Sequence, residues 1–461
     1  MKKSMKRWLL GASLTLSIIV SGCANGGANE GVNGGANNNA SQSKVEESKE
    51  PVTITMWEKS GGAAAVLQDL VKQFNEENKD INIDLKIQGG DDYEKNLPLA
   101  FQSKQAPDVF TATNVMNLYK PGWLLALDDV VNAEHMQKIK PYITQGINGF
   151  DGKAYAIPTS AVTMRLVYNK DLFKQAGLDP EQPPQTFSQV AEAAKKITEA
   201  SGGEAYGFGL AMKWTGFTTW QLEPLALTTN DKLTKRALFN VETGQYDIAQ
   251  YQPVIELYRN MVQNKWVYPG ASTLDNDPMR SAFADGKIGM YIGASFDVGT
   301  INDQFNTKID WAATNLPYED GKTFVQNISN VGRYYAVNAE TKHPEEAAKV
   351  IEFLTGVQMA QELQKQGLIN SILPETNHTD YMPQDVKQFK DFAPTSNDRQ
   401  SPSDPTPSIK VQGKTYTDVV MELVLTDKPI EPALKELNDR YNEAYNKAVQ
   451  DGAIKAEDFK K

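Results

Sequence analysis

The chain has 461 residues, a formal charge of −11 at pH 7, one cysteine and three histidines. A single cysteine excludes an intrachain disulfide and a metal cluster built from several cysteines. The histidines are His135, His343 and His378, and they do not show the spacing of metal ligands. The acidic balance argues against nucleic acid as a partner, because nucleic-acid-binding proteins need a basic surface. We therefore expect neither a metal nor a cofactor.

The first 22 residues have the layout of a secretory signal peptide. Four basic residues at positions 2–7 precede an apolar stretch at residues 8–20. This stretch is shorter than the roughly 20 residues that a membrane-spanning helix needs. Removal of residues 1–22 deletes four positive charges and no acidic residue, so the remaining chain carries a formal charge of −15.

Residues 20–23 read VSGC, which resembles the bacterial lipobox. The resemblance implies cleavage before Cys23 and diacylglycerol on its sulfur, and two acyl chains suffice for stable anchoring. The alternative is an ordinary signal peptide with a chance cysteine, which the lack of any other cysteine disfavours. Residues 23–50 that follow have too few apolar side chains to form a core, which predicts a flexible tether.

The chain after residue 50 alternates between predicted strands and predicted helices. Runs of β-branched or alternating apolar residues predict strands, and apolar residues three or four apart predict helices. In chain order the first elements are a strand at 52–57 ending at Gly61 and Gly62, a helix at 63–77, a strand at 81–87, a helix at 93–104 and a strand at 107–111. This alternation is typical of an α/β domain with a largely parallel sheet.

The same signals recur in the second half of the chain. Thr186 and Gln189 form a capping box that opens a helix, and Pro344 suits the first position of another helix. Further predicted elements are strands at 287–292 and 334–337 and a helix at 431–450. Residues 374–407 contain six prolines and no apolar periodicity, which predicts a long irregular segment.

Eight short stretches distributed along the chain carry a further signal. They are TITMWE at 53–58, APDVF at 106–110, GWLLALDD at 122–129, AYAIP at 154–158, LVYNKDLF at 166–173, FADGKIGMY at 283–291, HPEEAA at 343–348 and ALKELN at 433–438. Their order and spacing resemble the family 1 extracellular solute-binding proteins, the sugar-binding group that includes maltose-binding protein. The resemblance implies an α/β, two-lobed periplasmic-binding-protein fold of type II, with a ligand cleft between the lobes.

The resemblance also implies discontinuous lobes, with lobe I formed by 51–157 plus 318–372 and lobe II by 159–315 plus 373–461. Pro158 and Pro317 suit the crossings between them, since proline fits poorly inside helices and central strands.

In this family a sugar or oligosaccharide closes the hinge by its higher affinity for the closed state, and an ABC permease then receives it. We accordingly expect a monomer with no enzymatic activity. Lipid on Cys23 would hold it at the outer face of the cell membrane, close to the permease. A Gram-positive cell is favoured, because it has no closed periplasm to retain a free receptor.

The first candidate ligand contacts follow the first and third predicted strands. Sugars call for aromatic faces and for side chains that donate and accept hydrogen bonds, and ligands of α/β sheets lie beyond the carboxyl ends of the strands. The candidates are Trp57, Glu58, Lys59 and Asn114. Trp57 could equally pack into its lobe, whereas Glu58 has little structural reason to stand beside two glycines. Asn114 could instead cap the next helix, which is the preferred interpretation.

Aromatic residues supply the next candidates. Trp214 is expected in a loop before a helix, where it would form a stacking platform, while Trp220 is expected in the core. Phe296 stands where sugar-binding relatives often carry tryptophan, and it leaves Asp297 as a hydroxyl acceptor. The alternative for Asp297 is a cap of the following helix.

The last candidates are Asn330 and Arg399. Asn330 precedes Gly332, and the sequence departs here from the glycine pair that relatives commonly show. The neighbouring Arg333 could equally form a surface or inter-lobe ion pair. Arg399 could close on the ligand from the second lobe, but a solvated loop arginine is the preferred interpretation.

Other functional classes remain open at this point. A surface-anchored glycosidase would need two suitably spaced carboxylates, and the sequence shows no nucleophile elbow, phosphate loop or metal constellation that would favour an enzyme. A lipid-anchored adhesin or sensor would share the tether. Within the binding class, a non-sugar solute is the alternative ligand.

Overall fold

The computed structural model describes residues 50–60, 63–376 and 387–460. The predicted signal peptide, Cys23, the tether up to residue 49 and the turn at Gly61 and Gly62 lie outside these residues. Within the described part of the chain, no helix is both long enough and apolar enough to cross a membrane.

Strands and helices alternate along most of the described chain. The strands are β1 (Val52–Lys59), β2 (Ile81–Gln88), β3 (Val109–Ala112), β4 (Gly149–Phe150), β5 (Lys153–Ala154), β6 (Ile157–Asn169), β7 (Tyr206–Phe208), β8 (Phe239–Asn240), β9 (Gln245–Tyr246), β10 (Ile288–Ala294), β11 (Trp311–Thr314), β12 (Asn327–Val337), β13 (Asn370–Ser371) and β14 (Asp398–Gln400). The helices are α1 (Ala64–Glu77), α2 (Gly90–Gln102), α3 (Val115–Tyr119), α4 (Ala133–Ile139), α5 (Lys170–Gln175), α6 (Phe187–Ala200), α7 (Glu223–Ala226), α8 (Gln252–Gln263), α9 (Asn276–Ala284), α10 (Asp297–Gly299), α11 (Pro344–Leu354), α12 (Val357–Lys365), α13 (Tyr416–Leu425) and α14 (Ile430–Gln450).

The five elements predicted for the first part of the chain, from β1 to β3, are confirmed within a few residues. The capping box is also confirmed, since Thr186 Oγ1 accepts from the Gln189 amide at 3.5 Å and Gln189 Oε1 accepts from the Thr186 amide at 3.3 Å. Pro344 begins α11 as predicted. Local periodicity and capping therefore determine these elements.

The irregular segment predicted for residues 374–407 is described only in part. Short 3-10 turns at Pro374–Thr376, Lys387–Phe392 and Thr406–Ser408 surround β14. Residues 377–386 lie outside the described chain.

Most strands join one mixed sheet. Its order is β2-β1-β3-β12-β6-β10-β7, with β11 and β13 also on β6 and β14 on β12. The β1, β2 and β3 strands are parallel, as predicted for that part of the chain, but β12 runs antiparallel to β3 and to β6. The carboxyl ends of β1 and β3 therefore lie at the same edge of the sheet.

The long strand β6 connects the two parts of this sheet. Residues 157–163 of β6 pair with β12, and residues 164–168 pair with β10. Pro158 was expected in a connector, but it lies inside β6 opposite Tyr334. It is the second residue of the strand, close to the strand start where a missing amide donor is tolerated.

The hydrophobic core clusters fall into two groups that draw on different parts of the chain. Two core clusters use residues from 54–161 and 335–373. The other two use residues from 164–328 and 389–454. The lobe boundaries at 157, 318 and 373 stay a prediction.

A buried ion pair fastens the carboxy-terminal segment to β6. Arg165 Nη1 and Nη2 donate to the two carboxylate oxygens of Asp398 at 2.6 and 2.9 Å, and both side chains are only 2% exposed. Arg165 also donates to the backbone oxygens of Asp391 and Ala393. The same arginine thus holds two parts of the segment 391–398 against the crossing strand.

We expect Asp398→Asn to lower the free energy of unfolding by about 3 kcal/mol, because it leaves a buried arginine without its counter-charge. Denaturation in urea measures this change. The matched control is Asp439→Asn, which breaks a pair with Lys435 whose side chains are 74% and 62% exposed and should change stability little. Equal effects of the two substitutions would contradict the anchoring role of Asp398.

Candidate functional site

Polar side chains gather where β1 and β3 end, at the edge of the sheet where ligands of α/β proteins lie. Glu58 and Lys59 end β1, and Asn114 follows β3. Lys59 Nζ donates to Glu94 Oε1 at 2.7 Å, and Thr113 Oγ1 donates to the other oxygen of Glu94 at 2.7 Å. The structure therefore links the ends of the two strands through Glu94.

Glu58 lies beneath this edge, with only 2% of its surface exposed. Its Oε2 accepts from Thr111 Oγ1 at 2.8 Å and from the Tyr335 hydroxyl at 2.9 Å, and its Oε1 lies 3.1 Å from Arg333 Nη2. Burial raises the pKa of Glu58, and the Arg333 guanidinium opposes that rise. Both carboxylate oxygens are thus occupied by protein donors.

Trp57 and Asn114 have structural contacts of their own. Trp57 is half-buried, packs on the core beside α2, and has Lys86 Nζ 5.0 Å from its ring centre. Asn114 Oδ1 accepts from the Asn117 amide at 3.3 Å, which confirms the predicted helix cap. The ligand contacts of both residues stay predictions.

Three aromatic rings form a second cluster, which we call the aromatic cluster: Trp214, Trp220 and Phe296. The ring centres of Trp214 and Trp220 are 6.4 Å apart, and Phe296 meets Trp220 edge-on at 5.7 Å. Trp214 precedes the helical turn Thr218–Leu222, as predicted, and its ring packs against Gly216, where a Cβ would lie 2.4 Å from the ring. Phe296 is 42% exposed, so the cluster reaches solvent.

Cations flank the aromatic cluster. Lys235 Nζ lies 5.0 Å from the Trp220 ring centre, and the Arg280 guanidinium lies 5.2 Å from that of Phe296. Trp220 was expected in the core, and it is half-buried against the largest core cluster. Neither cation was predicted, because no local motif marks them.

The buried Asp297 holds Arg280 in position. It is 1% exposed, and its Oδ1 lies 2.5 Å from Arg280 Nη2. Its Oδ2 accepts from the Tyr291 hydroxyl and the Ala294 amide, both at 3.1 Å. Burial raises the pKa of Asp297, against the opposing charge of Arg280. The helix-cap alternative is wrong, because the carboxylate bonds an amide before α10 and makes no cap bond to the helix.

The remaining candidates lie on neighbouring strands. Asn330 belongs to β12, opposite Val162, and its side chain lies outside the described part of the structure. Arg399 belongs to β14, and its half-exposed side chain donates to Asp231 at 3.0 Å. The side chain is solvated, as was favoured from the sequence, and it also forms an ion pair with Asp231.

The structure therefore groups the candidates into two sets. Glu58 and Lys59 share the edge of β1 and β3, and Trp214, Phe296 and Asp297 are joined through Trp220 and Arg280. In the described residues, no group of three or more His, Cys, Asp or Glu side chains is arranged to hold a metal ion. The donors present are suited to hydrogen bonding and to ring stacking.

A strained loop lies beside the aromatic cluster. Arg236, Ala237 and Leu238 have φ values of 60°, 66° and 53°, in the left-handed region that residues with a Cβ avoid. The buried Glu223 stabilises this loop, because its Oε1 accepts from the Ala237 amide at 3.3 Å and from the Tyr251 hydroxyl at 2.5 Å. Burial raises the pKa of Glu223.

The same loop is tied to the segment after β14. Lys235 N donates to Ser401 Oγ at 2.6 Å, and Arg236 Nη1 donates to Asp404 Oδ2 at 3.3 Å. The Asp404 side chain is 7% exposed, and burial raises its pKa to about 6, against the charge of Arg236. The segment after β14 thus holds a carboxyl group that titrates near neutral pH.

Comparison with known proteins supplies a family. The profile described as bacterial extracellular solute-binding protein matches residues 59–361. A putative binding protein of Brucella abortus is 27% identical over 316 residues, which cover 66% of this chain and 71% of that protein. The sn-glycerol-3-phosphate-binding periplasmic protein of the same organism is 27% identical over 274 residues, covering 57% of this chain and 60% of its own.

Solved structures share the fold. The cyclic alpha-maltosyl-1,6-maltose binding protein from Arthrobacter globiformis superposes with a TM-score of 0.67 at 19% identity, covering 86% of this chain and 100% of its own. The sugar-binding protein of Xanthomonas citri gives a TM-score of 0.65 at 20% identity, covering 88% of this chain and 100% of its own. These similarities confirm the predicted two-lobed α/β fold of type II.

The raised pKa of Asp404 predicts a pH dependence of stability. Between about pH 4 and pH 6 the folded chain keeps a proton on Asp404 that the unfolded chain has lost, so stability falls as pH rises through this window. In Asp404→Asn this loss disappears. Unfolding free energies measured from pH 4 to pH 7 should show the variant gaining up to about 3 kcal/mol on the wild type across the window.

Asp320→Asn serves as the control for this prediction. Although burial opposes it, hydrogen bonds from Ser188 and Thr186 lower the pKa of Asp320, so its stabilising effect is lost only as pH falls below about 4. The difference between wild type and Asp320→Asn should therefore stay flat from pH 4 to pH 7. A flat difference for Asp404→Asn as well would contradict the assignment of that titration to Asp404.

Proposed function

The chain belongs to the bacterial extracellular solute-binding proteins, and from this membership we propose that it captures a sugar or oligosaccharide for an ABC importer. As a member of this family it is a binding protein and not an enzyme. We propose that the ligand lies between a lobe formed by 51–157 plus 318–372 and a lobe formed by 159–315 plus 373–461, and that the lobes close on it.

The aromatic cluster is the observation that supports a carbohydrate as the ligand. Sugar rings present C–H groups on their faces and hydroxyls around their edges, so they bind aromatic faces that adjoin hydrogen-bonding side chains. Phe296 is exposed beside Trp220 and Arg280, and Asp297 holds the guanidinium of Arg280 in place. Trp214 extends the apolar surface along the same cluster.

The pairing of three cations at the site supports an uncharged ligand. The cations Arg280, Arg333 and Lys59 each lie within 3.1 Å of a carboxylate oxygen, from Asp297, Glu58 and Glu94 respectively. A phosphate ester would need cations that are not already neutralised. This balance favours a neutral saccharide over a ligand such as sn-glycerol 3-phosphate, which one relative binds according to its name.

Attachment and delivery complete the proposal. Lipid on Cys23 would hold the monomeric receptor at the outer face of the cell membrane, favoured to be that of a Gram-positive bacterium. The 27 residues from 24 to 50 would give it a reach of roughly 30 Å. Closure around the ligand would then present the loaded receptor to the permease.

We expect a thermal-shift panel of glucose, maltose, raffinose, stachyose and sn-glycerol 3-phosphate to raise the melting temperature with at least one of the saccharides. Trp214→Ala should weaken binding of that saccharide about tenfold, because one stacking face is lost, and isothermal titration measures the change. Leu425→Ala, which alters another exposed apolar side chain, is the control and should bind as the wild type does. A shift with sn-glycerol 3-phosphate alone would overturn the carbohydrate proposal.

Cys23→Ser should release the protein from the membrane, since a serine cannot carry the thioether-linked lipid. In a bacterial host, fractionation should find the wild type with the membranes and the variant in the soluble fraction or the medium. Ser43→Ala, within the tether, should fractionate as the wild type does. Membrane association that survives Cys23→Ser would contradict lipid anchoring at this residue.

A further inference from the structure

Arg333 stands out because its backbone is strained inside a strand. Its φ is 50°, a left-handed value that suits glycine and strains a residue with a Cβ. On either side of it the ladder with β6 is regular, with Gly332 opposite Ser160 and Tyr334 opposite Pro158. The Thr159 hydroxyl donates to the Arg333 carbonyl at 3.0 Å, so a side chain satisfies the backbone at the distorted residue.

The strained residue lies at the edge where β1 and β3 end. Tyr334 pairs with Ala112, the last residue of β3, so Arg333 is the first residue of β12 beyond that pairing. Strained conformations persist where the surrounding structure fixes them, and they concentrate at ligand clamps. The strain and the position at this edge together single out Arg333 as a candidate ligand contact.

The guanidinium is held on one side only. Its Nε and Nη2 donate to the Tyr335 hydroxyl at 3.3 and 3.1 Å, and Nη2 also lies 3.1 Å from Glu58 Oε1. Within the described chain, Nη1 has no hydrogen-bond partner, and 18% of the Arg333 side chain is exposed. Two N–H donors of a fixed, planar group are therefore available to an acceptor.

Glu58 cannot contact a ligand in the same arrangement. Its carboxylate is 2% exposed, one oxygen accepts from Thr111 and Tyr335, and the other is paired with Arg333. A ligand hydroxyl would have to displace one of these donors to reach it. In this pair the Glu58 carboxylate is therefore the inner group and the Arg333 guanidinium the outer one.

We propose that Arg333 is the member of this pair that contacts the bound carbohydrate, and that Glu58 is a positioning residue that aims the guanidinium. The proposal rests on the proposed function and adds a ligand contact to it. Arg333 donates from Nη1 to a sugar hydroxyl, while the ion pair to Glu58 and the bonds to Tyr335 hold its strained backbone and its side chain in one geometry.

Arg333→Gly separates binding from folding. Glycine adopts the left-handed conformation without strain, but the substitution also leaves the buried Glu58 without its counter-charge, so the melting temperature of the ligand-free variant is measured first and affinities are compared below it. Affinity should fall about ten- to a hundredfold, because a hydrogen bond from a charged donor is lost. The probe is the saccharide among glucose, maltose, raffinose and stachyose that shifts the wild type most, and isothermal titration gives the affinities.

Lys265→Gly is the matched control. Lys265 is an exposed cation with a φ of 60°, and it follows α8 in the sequence. Its replacement relieves the same kind of backbone strain and removes a long cationic side chain. Binding of the same saccharide should therefore be unchanged in this variant. Arg333→Lys, which keeps the charge but not the planar fork, should bind with intermediate affinity.

A double variant tests the role of Glu58. If Glu58 acts through Arg333, Glu58→Gln should weaken binding in the wild-type background and add nothing to Arg333→Gly, because the two effects are not additive. Arg333→Gly binding within twofold of the wild type would overturn the proposal, as would full additivity in the double variant. Failure of every saccharide to bind the wild type would instead overturn the proposed function, and this inference with it.

Discussion

The pairing of β6 with β12 is the constraint on which the rest of the structure depends. Residues 157–163 and 329–335 pair antiparallel in the middle of the sheet, interrupted only at Thr159 and Arg333, and β6 then continues into pairing with β10. Core clusters from different parts of the chain are therefore joined through hydrogen-bonded strands. The ends of β1 and β3 and the strained residue of β12 meet beside this ladder, which is why the polar candidates lie there.

Buried carboxylates stabilise unfavourable backbone at two places near the site. Glu58 pairs with the side chain of the left-handed Arg333, and Glu223 accepts from the amide of the left-handed Ala237. In both cases burial raises the pKa of the acid, and protein donors surround it. Strain in the backbone and desolvation of a charge are thus offset by the same set of contacts, in strand β12 at Arg333 and in the loop at Ala237.

Sequence patterns a few residues long were sufficient to predict much of the fold, but not the long strands β6 and β12. The strand β1, the helix α1 and the capping box of α6 follow from patterns a few residues long. Most of β12 was missed because residues 327–333 show no apolar alternation, and β6 was missed because Pro158 was taken as a connector. Both strands are specified by partners distant in sequence, which a local pattern does not contain.

The candidate site was predictable only in its residue types. Trp214 before a helix and Asn114 as a cap could be read from neighbouring residues. Arg280 could not be identified, and Arg333 could be named only without its partner, because the acids that pair with them lie elsewhere in the chain. Dissolved ions act mainly on exposed, uncompensated charges. The side chains of the acids that pair with Arg280 and Arg333 are only 1% and 3% exposed, so the two guanidinium groups should keep the same position in dilute and in saline solution.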